Sequence, residues 1–270
     1  MEEILRTDNL KIGFSQYMKT LELDSFQAVD KINIRVCLKE LVCIVGSSGS
    51  GKSLLASGIL GTLPYNSYME GEIFYDDKPL DEELRGKVAG HELVMVPQSL
   101  SFLDPTKKVG KQILKGSKDK AKLEKLKGIF KNYGLDEKVL DLYPFELSGG
   151  MQRRVLVSTA LVEEPKLVIA DEPTPGLDLP LAKRVMEHFR ELADLGAGVL
   201  VITHDLELAV ETADRIYVMH DGKIVDEVMA ETFRNYAKEG SDKDELHEYT
   251  RALWEALPRN GFKESEYQWE

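Results

Sequence analysis

Leu41-Val42-Cys43-Ile44-Val45 runs directly into Gly46-Ser47-Ser48-Gly49-Ser50-Gly51-Lys52-Ser53, and that junction restricts the folds open to the chain more than any other feature. A short, continuous apolar run is the mark of a strand buried on both faces, as in a parallel sheet covered by helices. Glycines at 46, 49 and 51 let the backbone curl with its amides turned inward, and a helix is predicted to begin near Lys52. Such a nest at a helix N-terminus binds anions. Lys52 would reach the β- and γ-phosphates of a nucleotide, and Ser53 would ligate Mg²⁺. The expected nucleotide contacts are Gly46, Ser47, Gly49, Ser50, Gly51, Lys52, Ser53 and Leu54.

Further buried strands end in polar residues. Leu167-Val168-Ile169-Ala170 is followed by Asp171-Glu172, and Val199-Leu200-Val201-Ile202-Thr203 by His204. Asp171 is placed to hold Mg²⁺, through water, and Glu172 to polarise an attacking water as general base. The competing reading is a turn or capping pair, since Pro173 follows at once. A lone histidine is usually structural, but neighbouring parallel strands deliver their C-terminal ends to one crevice, which singles out His204 from His91, His188, His220 and His247.

Alternating apolar and polar residues over 1–40 predict an antiparallel sheet. Helical patterns dominate from about Lys111 to Glu163 with breaks at Gly134 and Pro144, and another helix is expected from about Leu181 to Leu195. The alternation implies a parallel α/β core with a helical insertion. Ten lysines fall between Lys107 and Lys131, with Ile113, Leu114, Leu123, Leu126 and Phe130 as the apolar side. They read as a solvated helix face, with attraction to anionic lipid headgroups or a partner's acidic loops as the alternative. The formal net charge of -12 argues against nucleic acid as a partner. No apolar run approaches the roughly 18 residues of a membrane helix, and the acidic start Met1-Glu2-Glu3-Ile4 is unlike a signal peptide, so a cytosolic location is expected. Cys37 and Cys43 read as buried free thiols.

Leu147-Ser148-Gly149-Gly150-Met151-Gln152-Arg153-Arg154, lying after the phosphate loop and before Leu167–Glu172, resembles the signature of the nucleotide-binding subunits of ABC transporters. Ser148 reads as the N-cap of a helix running to about Glu163, its two glycines leaving the helix amides bare. The resemblance implies ATP and Mg²⁺ as cofactors and a head-to-tail pairing in which Ser148, Gly149 and Gly150 of one subunit bind the γ-phosphate held by the other. It implies that Gln98, after Leu93-Val94-Met95-Val96-Pro97, touches Mg²⁺ or the water, and that His204 contacts the γ-phosphate and holds Glu172 in line. It also puts Thr174-Pro175-Gly176-Leu177-Asp178 in a loop crossing the pair's interface, with Asp178 among the nucleotide-binding residues, and Phe14, with Tyr17 as competitor, against adenine. Proline and glycine at 175 and 176 depart from the small residues usual there and leave open whether the partner is a second copy or a relative.

The fold implied is the ABC ATPase fold, α/β with a phosphate-loop NTPase core. Its antiparallel β subdomain is expected at 1–40, the nucleotide-binding core at 41–100 and 165–225, the helical signature subdomain at 101–164 and a C-terminal extension at 226–270. Gln98–Gly110, His247–Pro258 and Met151 with Arg153-Arg154 resemble the oligopeptide, dipeptide and nickel branch of ABC importers. That branch implies two transmembrane permease subunits, an extracytoplasmic substrate-binding protein acting indirectly, a peripheral place on the cytoplasmic face of the membrane, and peptides, nickel or metal chelates as cargo. With no cysteine after Cys43, the iron-sulfur cluster of longer relatives is not expected. The alternative is a soluble, non-transport ABC ATPase.

Overall fold

The computed structural model describes residues 2–17, 23–236 and 246–257. Two long strands, β1 (Glu3–Tyr17) and β2 (Leu23–Cys37), form an antiparallel pair. The chain then enters β3 (Leu41–Val45), whose five residues are all buried, and α1 (Lys52–Leu60). It returns to the antiparallel sheet as β4 (Ser67–Tyr75), which pairs with β1, and β5 (Lys78–Pro79), giving the order β2-β1-β4-β5. Residues 67–79, which the sequence reading assigned to the nucleotide-binding core, therefore sit in the antiparallel sheet.

Helix α2 (Glu82–Val88) leads to β6 (Leu93–Val96). The helical insertion follows as α3 (Val109–Ile113), α4 (Lys120–Asn132) and α5 (Gly149–Val162), separated by short 3₁₀ turns at Glu137–Asp141 and Pro144–Glu146. The expected break at Gly134 is a left-handed residue with φ +61°, and a further break comes at Gly116, φ +74°. Strand β7 (Leu167–Asp171), α6 (Leu179–Asp194), β8 (Gly198–Ile202), α7 (Leu206–Thr212), β9 (Arg215–His220) and β10 (Lys223–Met229) complete a six-stranded sheet of order β10-β9-β3-β8-β7-β6. The strands from β9 to β6 are parallel, and β10 closes the edge as an antiparallel hairpin with β9. The expected boundary at 226 thus falls inside β10. Helices α8 (Ala230–Tyr236) and α9 (Glu248–Glu255) follow; 237–245 and 258–270 of the expected extension lie outside the described residues.

The large sheet is apolar on both faces because each face has its own cover. Val42, Ile44, Ile169, Leu200 and Ile202 pack with Leu55 and Ile59 of α1 and with Ile4, Ile12 and Val29 of the antiparallel sheet. Their neighbours Cys43, Val45, Val168, Ala170, Val199 and Val201 join the core built by α5, α6, α7 and α8. Side chains alternate along a strand, so a strand serving two cores carries no polar positions. The sheets approach closely at Gly198, where a Cβ would come within 2.5 Å of the Ile4 side chain and 3.0 Å of the Cys37 carbonyl. Cys37 and Cys43 are buried free thiols. On the lysine-rich insertion, Ile113, Leu126 and Phe130 are buried. Lysines 107, 108, 115, 122, 125 and 127 pair with carboxylates, 115 and 122 sharing the largely buried Glu163. No helix among the described residues is long and apolar enough to cross a membrane.

Candidate functional site

The strand order sets four parallel strands side by side, β6, β7, β8 and β3, with their C-terminal ends at one edge. Neighbouring strands lie about 4.8 Å apart, so Gln98, Asp171-Glu172, His204 and the phosphate loop form a row although they are far apart in sequence.

At β3 the chain turns through Gly46, where a Cβ would meet the Met219 carbonyl oxygen at 2.0 Å, and through Gly51, a left-handed residue with φ +99° that caps α1. Only glycine fits both requirements. The buried Lys52 ammonium donates to the carbonyls of Gly46 and Ser47, each at 2.8 Å, and to Ser50 Oγ at 3.4 Å. Burial lowers its pKa, while the charges of Glu172 and Asp171 oppose that shift. Ser53 Oγ donates to Asp171 Oδ1 at 3.0 Å. Burial raises the Asp171 pKa above the ordinary value, the Ser53 hydrogen bond working against it and the Glu172 charge adding to it. A hydroxyl and a carboxylate side by side suit a hard cation such as Mg²⁺. Among the described residues no three His, Cys, Asp or Glu side chains converge as metal ligands; the adjacent Ser53 and Asp171 would hold a cation together with nucleotide oxygens.

Glu172 is held in a strained backbone. Its φ is +45°, in the left-handed region that non-glycine residues avoid, and its N–H donates to the Ile202 carbonyl at 2.8 Å. This turn directs its buried carboxylate to His204, whose Nδ1 lies 2.8 Å from Glu172 Oε2. His204 itself is exposed, on the turn between β8 and the Asp205 cap of α7. Gln98 is exposed just past β6, its side chain in no hydrogen bond among the described residues.

The signature stands apart. Ser148 caps α5, its Oγ accepting from Met151 N at 3.3 Å, and Gly149 and Gly150 open the helix. No hydrogen bond among the described residues joins these three to the phosphate loop of the same chain. Gln152 Nε2 donates to the Pro144 and Leu147 carbonyls, and Arg154 donates to those of Gly150 and Tyr133, fixing the helix entry. Asp178 is exposed and caps α6 through Leu181 N at 3.0 Å, after Gly176 at φ +76°.

Phe14 is half-buried and sits opposite Phe26 in the β1/β2 register. Opposite residues of an antiparallel pair share a face, and the bulge that skips Ala28 leaves Phe26 on the side of Val29, whose Cγ2 would meet a Cβ built at Gly51. Phe26, 68% exposed, is the more available ring beside the phosphate loop. The sequence reading did not weigh it, because its face follows only from the bulge. The Tyr17 side chain lies outside the described residues. Arg153, read only as part of a branch mark, has a buried side chain that bonds the Pro97 carbonyl.

A phosphate loop, a strained carboxylate and a histidine aligned on consecutive parallel strands define a phosphate-loop ATPase class of site. Residues 29–175 match the family model described as ABC transporter. The chain is 35% identical over 247 residues to the dipeptide transport ATP-binding protein DppD of Haemophilus influenzae, covering 86% of this chain and 72% of that one. It is 35% identical over 275 residues to the oligopeptide transport ATP-binding protein OppD of Bacillus subtilis, covering 94% and 72%. Among solved structures it resembles the dimeric, post-hydrolysis ATP-binding cassette MJ0796 bound to ADP and Pi, with TM-score 0.70, 26% identity and coverage of 84% and 98%. The chain belongs to the ABC transporter family, as an ATP-hydrolysing subunit.

Proposed function

We propose that this subunit powers a peptide importer, working on the cytoplasmic face of a membrane as one of two ATPase subunits docked on a pair of permease subunits. Its similarity to relatives named for dipeptide and oligopeptide transport favours peptide over nickel or metal-chelate cargo. An extracytoplasmic binding protein would deliver the cargo.

The observation that carries the mechanism is the 2.8 Å contact of His204 with Glu172, next to the Ser53–Asp171 pair. ATP binds with its phosphates against the amides of residues 46–54, and Lys52 exchanges its carbonyl partners for β- and γ-phosphate oxygens. Ser53 and Asp171, with Gln98 near, would hold Mg²⁺, which would supply neutralisation of the phosphate charge. Glu172 accepts a proton from the attacking water, and His204 keeps that carboxylate turned toward the γ-phosphate. Ser148, Gly149 and Gly150 of a second subunit complete the site, with Asp178 and its loop at the interface. Closure of the pair around ATP moves the membrane subunits, and hydrolysis releases it.

The test is ATPase activity of the chain alone and co-expressed with its membrane partners, with di- and oligopeptides, nickel and metal chelates offered through a binding protein. Several-fold stimulation by peptide only in the assembled complex is expected. Full activity of the lone chain, with no membrane partner co-purifying, would overturn the reading in favour of a soluble ATPase.

A further inference from the structure

Among the described residues two arginines are buried, and they are treated differently. Arg215 is bracketed by Glu40 and Glu227. Arg153, 7% exposed and in α5, has no carboxylate within 4 Å among the described residues. Its Nη1 donates to the Pro97 carbonyl at 3.1 Å, and its buried Nε meets no acceptor. A guanidinium carries five N–H donors and stays charged, so burial with one neutral acceptor is costly. The charges of Asp171 and Glu172 favour the guanidinium and oppose the effect of burial.

Those partners belong to three parts of the site. Arg153 rides on the helix that Ser148 caps, Pro97 immediately precedes Gln98, and Asp171 and Glu172 are the carboxylates at the phosphate end. We propose that Arg153 is a positioning residue for ATP hydrolysis: it fastens the signature helix to the strand end that carries Gln98 and sets a fixed positive charge behind the carboxylate pair. Displacement of α5, when its N-terminus engages a phosphate, then reaches Gln98 and Glu172 in the same movement. The inference rests on the residue roles proposed above.

The experiment compares Arg153→Gln, Arg153→Met and Arg153→Lys in the assembled complex, with Glu172→Gln and Gln98→Ala alongside. Arg153→Gln and Arg153→Met should lower kcat about tenfold or more and leave the KM for ATP within about twofold. Their melting temperature should hold or rise, because a poorly partnered buried charge has been removed. Arg153→Lys, which keeps the charge, should recover most of the activity. The Gln98→Ala/Arg153→Gln double variant should be no slower than the slower single variant, the signature of two residues acting as a unit. Normal kcat in Arg153→Gln, a loss of kcat and melting temperature in parallel, or additive effects with Gln98→Ala would overturn the proposal. If the wild type hydrolyses ATP, Glu172→Gln does not and Arg153→Gln is normal, the role of Arg153 alone falls. If Glu172→Gln is as active as wild type, the residue roles fall and this one with them.

Discussion

Nδ1 of His204 lies 2.8 Å from Oε2 of Glu172, across the gap between the ends of β8 and β7. The pairing depends on register, Asp171 standing opposite Ile202, and on the Glu172 N–H tied to the Ile202 carbonyl. Removing the imidazole leaves the carboxylate in place but without its brace. His204→Ala should therefore lower kcat by about 100-fold with little change in the KM for ATP, read from steady-state hydrolysis.

Glu172→Gln keeps the shape and the left-handed turn but cannot take a proton. Turnover should be lost while ATP binding survives. Size-exclusion chromatography with ATP should then show a larger paired fraction than for wild type. A variant still turning over at the normal rate would remove Glu172 as general base.

Asp171 links the site to pH. Its folded pKa is raised by burial above the ordinary 3.8, so the folded protein holds that proton more tightly than the unfolded chain does. Its contribution to stability is full below the unfolded pKa and is lost as pH rises through the folded one. Asp171→Asn, which cannot ionise, should melt above wild type at pH 7 without divalent ions or nucleotide. The two melting curves should converge as the pH falls toward 4.

Glu40 and Arg215, 3% and 5% exposed, form an ion pair at 2.9 Å, and Glu40 Oε2 also accepts from Cys37 N at 2.8 Å. Losing Glu40 removes one of the two carboxylates that bracket the buried Arg215 and leaves the Cys37 N–H without its acceptor, while Glu227 still pairs the guanidinium, at a cost of about 2 kcal/mol. Glu40→Ala should lose that much in urea unfolding. The turn residue preceding β3 thus braces β3 against β9.

Phe26→Ala should raise the KM for ATP by about tenfold, a loss of about 1.4 kcal/mol typical of one ring stacked on a base, with kcat nearly unchanged. The same increase in Phe14→Ala, with none in Phe26→Ala, would assign the adenine contact to Phe14.

The large sheet was readable because β3, β7 and β8 are short apolar runs buried on both faces, and each ends in a polar residue or a glycine at the functional edge. The Ser148 cap was readable too, since a side-chain oxygen before a helical run has a local mechanism. Partners supplied from afar were not. β4 reads as ordinary alternation, and its place beside β1 depends on a pairing some 60 residues away. The burial of Arg153 depends on the Pro97 carbonyl, 56 residues distant, and nothing local distinguishes it from Arg154. Phe26 was hidden by a bulge, because skipping Ala28 changes which residues share a face.

Ser148 illustrates how a cap can aim as well as stabilise. Its oxygen accepts from Met151 N with a lone pair, and a hydroxyl that accepts in this way still has its own proton to give. The helix thus holds the oxygen like a clamp on a compass needle and leaves the hydrogen to swing outward. A phosphate arriving from another subunit would not have to outbid the helix for this serine, since the two use opposite sides of one atom.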